Sequence, residues 1–142
     1  MAIALRADKE TSKELKSIIY QDIFTNTLIN NDTKDLSIIT NEDAVKMSII
    51  NIMLTNPGEK FFDSSFGSEI NKILFENITP QTTAVLNTLI TTAIENYEPR
   101  ARLIDVVSSP LPDNNAYAIT IVFSVINKTE PISLEFVLNR VR

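Results

Sequence analysis

Of the side chains able to do acid–base chemistry, this chain offers carboxylates and little else. It has no histidine and no cysteine among its 142 residues. Ser-His-Asp triads, thiol nucleophiles, Cys/His zinc sites and disulfides are therefore impossible within it. The carboxylates to weigh are Glu59 and Asp63, in a stretch rich in aromatics, and Glu98, in the tripeptide Glu98-Pro99-Arg100. Glycoside hydrolysis needs only two carboxyl groups, one protonated in apolar surroundings and one ionised. A small lysozyme-like peptidoglycan hydrolase working through Glu59 and Glu98 is thus the enzymatic alternative, although no spacing marks out a glycosidase pair. Each acid also has a plainer use: Glu59 pairing with Lys60 or Arg100, Asp63 capping a turn, Glu98 pairing with Arg100 or Arg102. On spacing alone a Glu98–Arg100 pair is a surface ion pair at a helix end, worth at most about 1 kcal/mol. The acids nowhere take the spacing of a calcium loop, since Asn30 to Asp35 lacks the glycine and the terminal glutamate. No catalytic residue, metal or cofactor is expected.

The elements that position these groups divide at Glu98-Pro99-Arg100, with helices before it and strands after it. Thr40, with Asp43 three residues on, reads as an N-cap, and Val45, Ile49, Ile52 and Met53 recur at helical spacing over about Asn41 to Leu54. Asn56-Pro57-Gly58 then predicts a tight reversal. The only two glycines, Gly58 and Gly67, flank Glu59 to Phe66, which holds three of the seven phenylalanines. Pro57, Gly58 and Gly67 are the structural turn residues, because glycine accepts positive φ and close backbone approach. A loop with that apolar content must dock on the core or on a partner. Ser68 can cap a short helix carrying Ile70, Ile73 and Leu74. Thr79-Pro80 opens the strongest helix, about Pro80 to Tyr97, with Leu86, Leu89, Ile90, Ala93, Ile94 and Tyr97 in steps of three and four. Pro99 stops it.

Beyond that point the period becomes two. Leu103, Asp105 and Val107 alternate with Arg102, Ile104 and Val106; Ser108 to Asn115 reads as a turn; Tyr117, Ile119, Ile121, Phe123 and Val125 form one apolar face. After a turn at Asn127 to Pro131, Ile132, Leu134, Phe136 and Leu138 form another. These three strands predict an antiparallel meander with one buried face. The fold class is α+β, three main helices packed on a small antiparallel sheet formed largely by the C-terminal strands. A hairpin joining Ile18 to Phe24 with Leu36 to Ile39 is a further expectation.

With 44% apolar and 22% charged residues the chain has the composition of a folded domain. We expect residues 1–17 to be an N-terminal arm, disordered or ordered on a partner, and 18–142 a single domain. A net charge of -5 without a basic cluster disfavours nucleic acid. No run has the length of a signal peptide or a membrane span, so the plainest reading is a cytosolic product. The last strand is expected at a sheet edge, which invites another chain's strand.

Taken in order, Thr55-Asn56-Pro57-Gly58-Glu59, Phe66-Gly67, Leu74-Phe75-Glu76 and Glu98-Pro99-Arg100 resemble, position by position, the signature of the lysozyme-like baseplate wedge family of contractile phage tails. Tyr20-Gln21-Asp22-Ile23 resembles its N-terminal element and Ala44 to Ile49 its first helix opening. Lys60 stands where arginine is frequent, which weakens a bidentate contact. The resemblance covers about Tyr20 to Phe136. It implies a structural, non-enzymatic subunit of a tail baseplate wedge, similar also to a baseplate subunit of type VI secretion systems. It implies several copies in a symmetric baseplate on the virion tail, assembled in the host cytoplasm, with other wedge subunits and the tail sheath protein as partners and neither nucleic acid nor membrane. By the same resemblance Glu98, Pro99 and Arg100 dock on neighbouring wedge proteins, and the β-part exchanges strands with the first sheath ring. Glu59, Phe66, Ile132, Leu134 and Phe136 complete the candidate partner-binding set.

Overall fold

The computed structural model describes residues 19–23, 37–126 and 128–140. The expected arm over 1–17 and the turn at Asn30 to Asp35 lie outside them. In chain order the elements are β1 (Gln21–Ile23), β2 (Ile38–Thr40), α1 (Glu42–Leu54), α2 (Ile70–Leu74), α3 (Pro80–Tyr97), β3 (Ala101–Leu111), a 3-10 turn (Pro112–Asn114), β4 (Ala116–Val125) and β5 (Ile132–Asn139). This is an α+β fold with two antiparallel sheets, the small β1-β2 pair and a three-stranded sheet in the order β3-β4-β5.

Helix α3 forms for the reasons its sequence suggests. Thr79 caps it, accepting a bond from the Thr82 amide at 3.1 Å while the Thr82 hydroxyl accepts one from the Thr79 amide at 2.9 Å. Pro80 takes the first helical position, where its missing N–H costs nothing. Leu86, Ile90 and Ile94 are fully buried on one face. Thr79→Ala should lower stability by about 1 kcal/mol, read as a downward shift of the melting temperature, because it leaves the Thr82 amide without its partner.

Two capping expectations fail: Thr40 is taken by a strand, and the Ser68 hydroxyl by a tertiary contact. Thr40 is the last residue of β2, and the N-cap of α1 is Asn41, at φ 52 and with no side-chain cap bond. Its Oδ1 instead accepts bonds from the Ile19 and Tyr20 amides at 2.8 and 3.3 Å, and its own amide donates to the Tyr20 carbonyl at 2.7 Å. Asn41 thus staples the start of β1 to the start of α1. Ser68 does not cap α2 either, since its hydroxyl donates to the Met53 carbonyl at 2.9 Å and is buried.

Strand β4 is central in its sheet, and its five expected core residues, Tyr117 to Val125 in steps of two, are all buried. They pack with Val45, Ile49 and Met53 of α1, with α2 and α3, and with Leu134 and Leu138 of β5. In β3 the plain alternation breaks. The register passes from Leu103↔Phe123 to Asp105↔Val122, leaving Ile104 as an unpaired bulge residue. A single extra residue flips every later side chain to the other face. Leu103 and Val106 therefore pack on the core while Ile104 and Val107 are exposed. Ser108 to Leu111, which look like turn residues, stay in the strand opposite Ile119 to Ala116. Pro110 is tolerated there because β3 is an edge strand. The chain reverses only at the 3-10 turn, with Asn115 in the left-handed region at φ 49.

Candidate functional site

Three of the candidate residues, Glu98, Pro99 and Arg100, lie where α3 runs into β3. The Ala101 amide donates to the Glu98 carbonyl at 3.1 Å, closing a four-residue turn with proline at its second position. That turn aims the Arg100 side chain back along the Glu98 carboxylate. Arg100 Nε reaches Glu98 Oε1 at 2.6 Å and Nη2 reaches Oε2 at 2.7 Å, a two-pronged, charge-assisted pair. The Arg100 amide adds a third bond to Oε1 at 3.3 Å. This is not the surface ion pair that spacing alone suggests, because the Glu98 side chain is only 2% exposed.

Burial by itself pushes the Glu98 carboxyl up. The bonds from Arg100 and from the Ser48 side chain of α1, with the Arg100 charge, outweigh it and hold the group below the usual carboxylate range. The pair raises the Arg100 guanidinium in turn, chiefly through the Glu98 bond and against partial burial. The outer face of Arg100 lies over the Tyr20 ring, 5.5 Å from its centroid, a cation–π contact. The Arg100 carbonyl accepts from the Ile126 amide at 3.0 Å. Glu98 therefore faces the protein and holds Arg100, while Pro99 and 30% of the Arg100 side chain face solvent. Tyr20, Asn41 and Ser48 are the parts of this arrangement that spacing does not reveal, since each lies fifty or more residues from Glu98 in the chain.

The aromatic loop shares this end of the molecule. Phe66 packs on Tyr97, the last residue of α3, with ring centroids 5.1 Å apart. The Tyr97 hydroxyl donates to the Ser65 carbonyl. Lys60 lies 4.0 Å above the Phe66 ring and pairs with Asp63 at 3.3 Å. A cavity of about 320 Å³ opens between loop and helix, lined by Pro57, Ser65, Gly67, Leu89, Thr92 and Tyr97 among others.

Both glycines have positive φ but for different reasons. Gly58, at φ 92, stands in open space and serves the reversal, where Glu59 donates its amide to the Asn56 carbonyl at 3.1 Å. Gly67, at φ 117, touches backbone: a Cβ there would lie 2.4 Å from the Thr55 carbonyl oxygen.

Glu59 pairs with neither Lys60 nor Arg100. Its carboxylate turns back to accept the Asn56 amide and side-chain Nδ2, each at 2.8 Å. Those bonds hold the exposed group below its usual pKa. The Asp63 carboxyl is also held low, first by the Ser65 hydroxyl and then by Lys60. A carboxylate-based hydrolase needs one carboxyl raised so that it carries a proton at working pH, and the three candidates all move the other way.

Of the strand candidates, Leu134 is buried and Ile132 and Phe136 are half-buried against the core. What β5 can offer another chain is its backbone, for among the described residues it pairs only with β4. Among those residues no three carboxylates converge into a metal-binding group, and no helix is long and apolar enough to cross a membrane.

Comparison with known proteins agrees with this architecture. Among solved structures, the fold matches a protein named a tail lysozyme from Geobacter sulfurreducens, at a TM-score of 0.66 and 24% identity over 71% of this chain and 92% of that one. It matches a chain of the anti-feeding prophage baseplate at 0.61 and 24% identity, covering 87% of each. A chain of the postcontracted pyocin R2 baseplate follows at 0.52 and 14% identity, over 68% of this chain and 93% of that one. In sequence, the chain is 35% identical over 99 residues to the baseplate wedge protein gp25 of Enterobacteria phage T4, covering 70% of this chain and 75% of that protein. Residues 40–130 match the family described as baseplate wedge protein gp25. The match spans α1 to β4, the segment that carries both glycines, the aromatic loop and the Glu98–Arg100 turn, and the chain belongs to the baseplate wedge protein gp25 family.

Proposed function

We propose that this protein is a structural, non-enzymatic subunit of a contractile-tail baseplate wedge, docking on neighbouring wedge proteins through the Pro99-Arg100 face and seeding the sheath by strand addition at its three-stranded sheet. The single observation that carries the docking surface is the arrangement of Arg100: Glu98 and Tyr20 fix its direction, yet nearly a third of its side chain stays in contact with solvent. A guanidinium held in place offers charge-assisted bonds at little further cost in entropy. Strand addition is supported by the two outer strands of the sheet, each with one unpaired edge among the described residues. In this reading Ile132, Leu134 and Phe136 anchor the edge strand from beneath, and Glu59 and Phe66 shape the loop beside the docking face. In the same reading the protein is present in several copies on the tail, assembled in the host cytoplasm.

A cryo-EM map of the assembled tail tests both contacts. The expected result is Pro99 and Arg100 covered by another wedge protein and a foreign strand hydrogen-bonded along β5 or β3. Open solvent over Arg100 would sink the docking role, and two uncovered sheet edges would sink the templating role.

The non-enzymatic part has its own test, turbidity of a cell-wall suspension at acidic and neutral pH. No clearing is expected from the wild-type protein at either pH. Clearing that disappears in both Glu59→Gln and Glu98→Gln would establish the hydrolase instead.

A further inference from the structure

The aromatic loop divides into an anchor and a tip. Phe66 is the anchor, packed on Tyr97. Phe61 and Phe62 form the tip, at 87% and 109% relative exposure, and no described residue covers them. The tip is held rigidly. The Asp63 amide donates to the Lys60 carbonyl at 3.4 Å, so Phe61 and Phe62 are the two central residues of a turn. The Lys60–Asp63 ion pair closes it, and the Ser65 hydroxyl donates to Asp63 at 2.9 Å just behind. Phe62 sits at φ 66, a left-handed conformation that is a genuine outlier for a bulky side chain and that such turns usually give to glycine. Two phenyl rings in water, one on strained backbone, do nothing for the isolated fold. Strain of this kind persists where a function needs it, and rigid exposed aromatics are the usual anchors of protein interfaces.

The charge around the tip indicates what receives it. Lys60 is neutralised by Asp63 and Lys72 by Glu69. Glu59 has no cation partner among the described residues, and Asn56 keeps its carboxyl ionised. Asn56 also borders a cavity of about 360 Å³ with Pro57, Glu69, Asn71, Lys72 and the exposed Phe75. The surface is thus apolar at the tip and anionic at its flank.

We infer that Phe61 and Phe62 form a preformed aromatic plug that inserts into an apolar socket rimmed by lysine or arginine on another protein of the baseplate, with Glu59 meeting the rim. The occupant class rests on the baseplate reading above. An anionic flank beside the rings fits a basic protein rim and opposes an anionic lipid surface.

The test uses the full chain, co-expressed with the other proteins of its tail. In one arm Phe62 is replaced by the photo-cross-linker p-benzoyl-phenylalanine. In the other, Phe61→Ser is combined with Phe62→Asn, asparagine being tolerant of the left-handed region. The purified double variant should melt at or above the wild-type temperature, because the exposed rings have no packing to lose and asparagine relieves the strained backbone at position 62. Its incorporation into baseplates should fall at least tenfold, and the cross-linker should join a different wedge protein beside lysine or arginine. Incorporation of the double variant at the wild-type level overturns the plug and leaves the baseplate reading standing. Cross-linking to a second copy of this chain overturns the inferred occupant. So does flotation of the wild type, but not the double variant, with phosphatidylcholine–phosphatidylglycerol vesicles. Failure of the wild type itself to enter any baseplate removes both readings.

Discussion

Gly67→Ala is expected to destabilise the fold by about 3–4 kcal/mol, enough to lower the urea midpoint by well over one molar. Two costs combine. A side chain at φ 117 is strained whatever surrounds it, at about 1–2 kcal/mol. The added Cβ also meets the Thr55 carbonyl oxygen at 2.4 Å and its carbon at 3.0 Å, and forcing atoms into a packed site costs typically about 1–3 kcal/mol more. The obstacle is backbone, so no rotamer change relieves it. The same carbonyl receives the Ser68 amide at 2.9 Å, so moving it away would break the bond that ties the loop's exit to the end of α1. Gly58→Ala is the control, because φ is 92 there but nothing lies within reach of the new methyl group. It should cost about 1–2 kcal/mol, the conformational part alone. Equal losses at the two positions would show that the close approach at Gly67 has no energetic weight.

Arg100→Ala should cost about 2–3 kcal/mol at neutral pH. Removing one partner of a buried pair leaves an uncompensated charge, typically a loss of about 3–5 kcal/mol, and the solvent around Arg100, 30% exposed, reduces that figure. The pH dependence identifies the cause. In the wild type the Glu98 carboxyl lies below its usual value. The stability it contributes is present above the unfolded carboxyl pKa of about 4.3 and is lost as pH falls through the lower folded pKa. In the variant the guanidinium's bonds and charge vanish while burial, the largest single influence, remains beside the Ser48 bond and the residue-100 amide, so the same carboxyl shifts upward from its wild-type position. The gap between wild type and variant should therefore begin to narrow as pH falls through the variant's higher carboxyl pKa and finish narrowing as pH falls through the wild type's lower one, and Glu98→Gln in the Arg100→Ala background should recover part of the loss at neutral pH. A gap that stays constant from neutral to acid pH would mean that Arg100 acts through packing on Tyr20 alone. Arg100→Ala weakens the fold as well as the exposed surface, so a defect in assembly by this variant carries meaning only beside its measured stability.

That double duty could not be read from the tripeptide alone. The chain sequence makes Glu98-Pro99-Arg100 the stop of a long helix, since Pro99 cannot continue the ladder and the apolar period changes from helical to two just beyond it. It equally determines α3, whose cap, first-position proline and apolar stripe all agree, and the inward face of β4, where strict alternation runs from Tyr117 to Val125. The class of fold and the family-defining turns follow from such local agreement, because each rests on residues within one or two turns of each other.

Long-range contact decided the rest. Whether Glu98 is a surface acid or a buried one depends on Ser48 and on the chain at Tyr20, far away in sequence. The N-cap position of α1 fell to Asn41 rather than Thr40, and Asn41 and Ser68 both bond to partners more than ten residues distant. The bulge at Ile104 reversed the faces of β3 because strand pairing, not local alternation, sets register. The glycines look alike in sequence, yet only Gly67 lies against another backbone. The three phenylalanines of one short loop separate into an anchor on Tyr97 and two rings in water. Residue type and spacing determine which side chains are available and which helices and strands can form; which polar group is buried, and which aromatic faces solvent, is a property of packing, where distant partners compete for the same atoms.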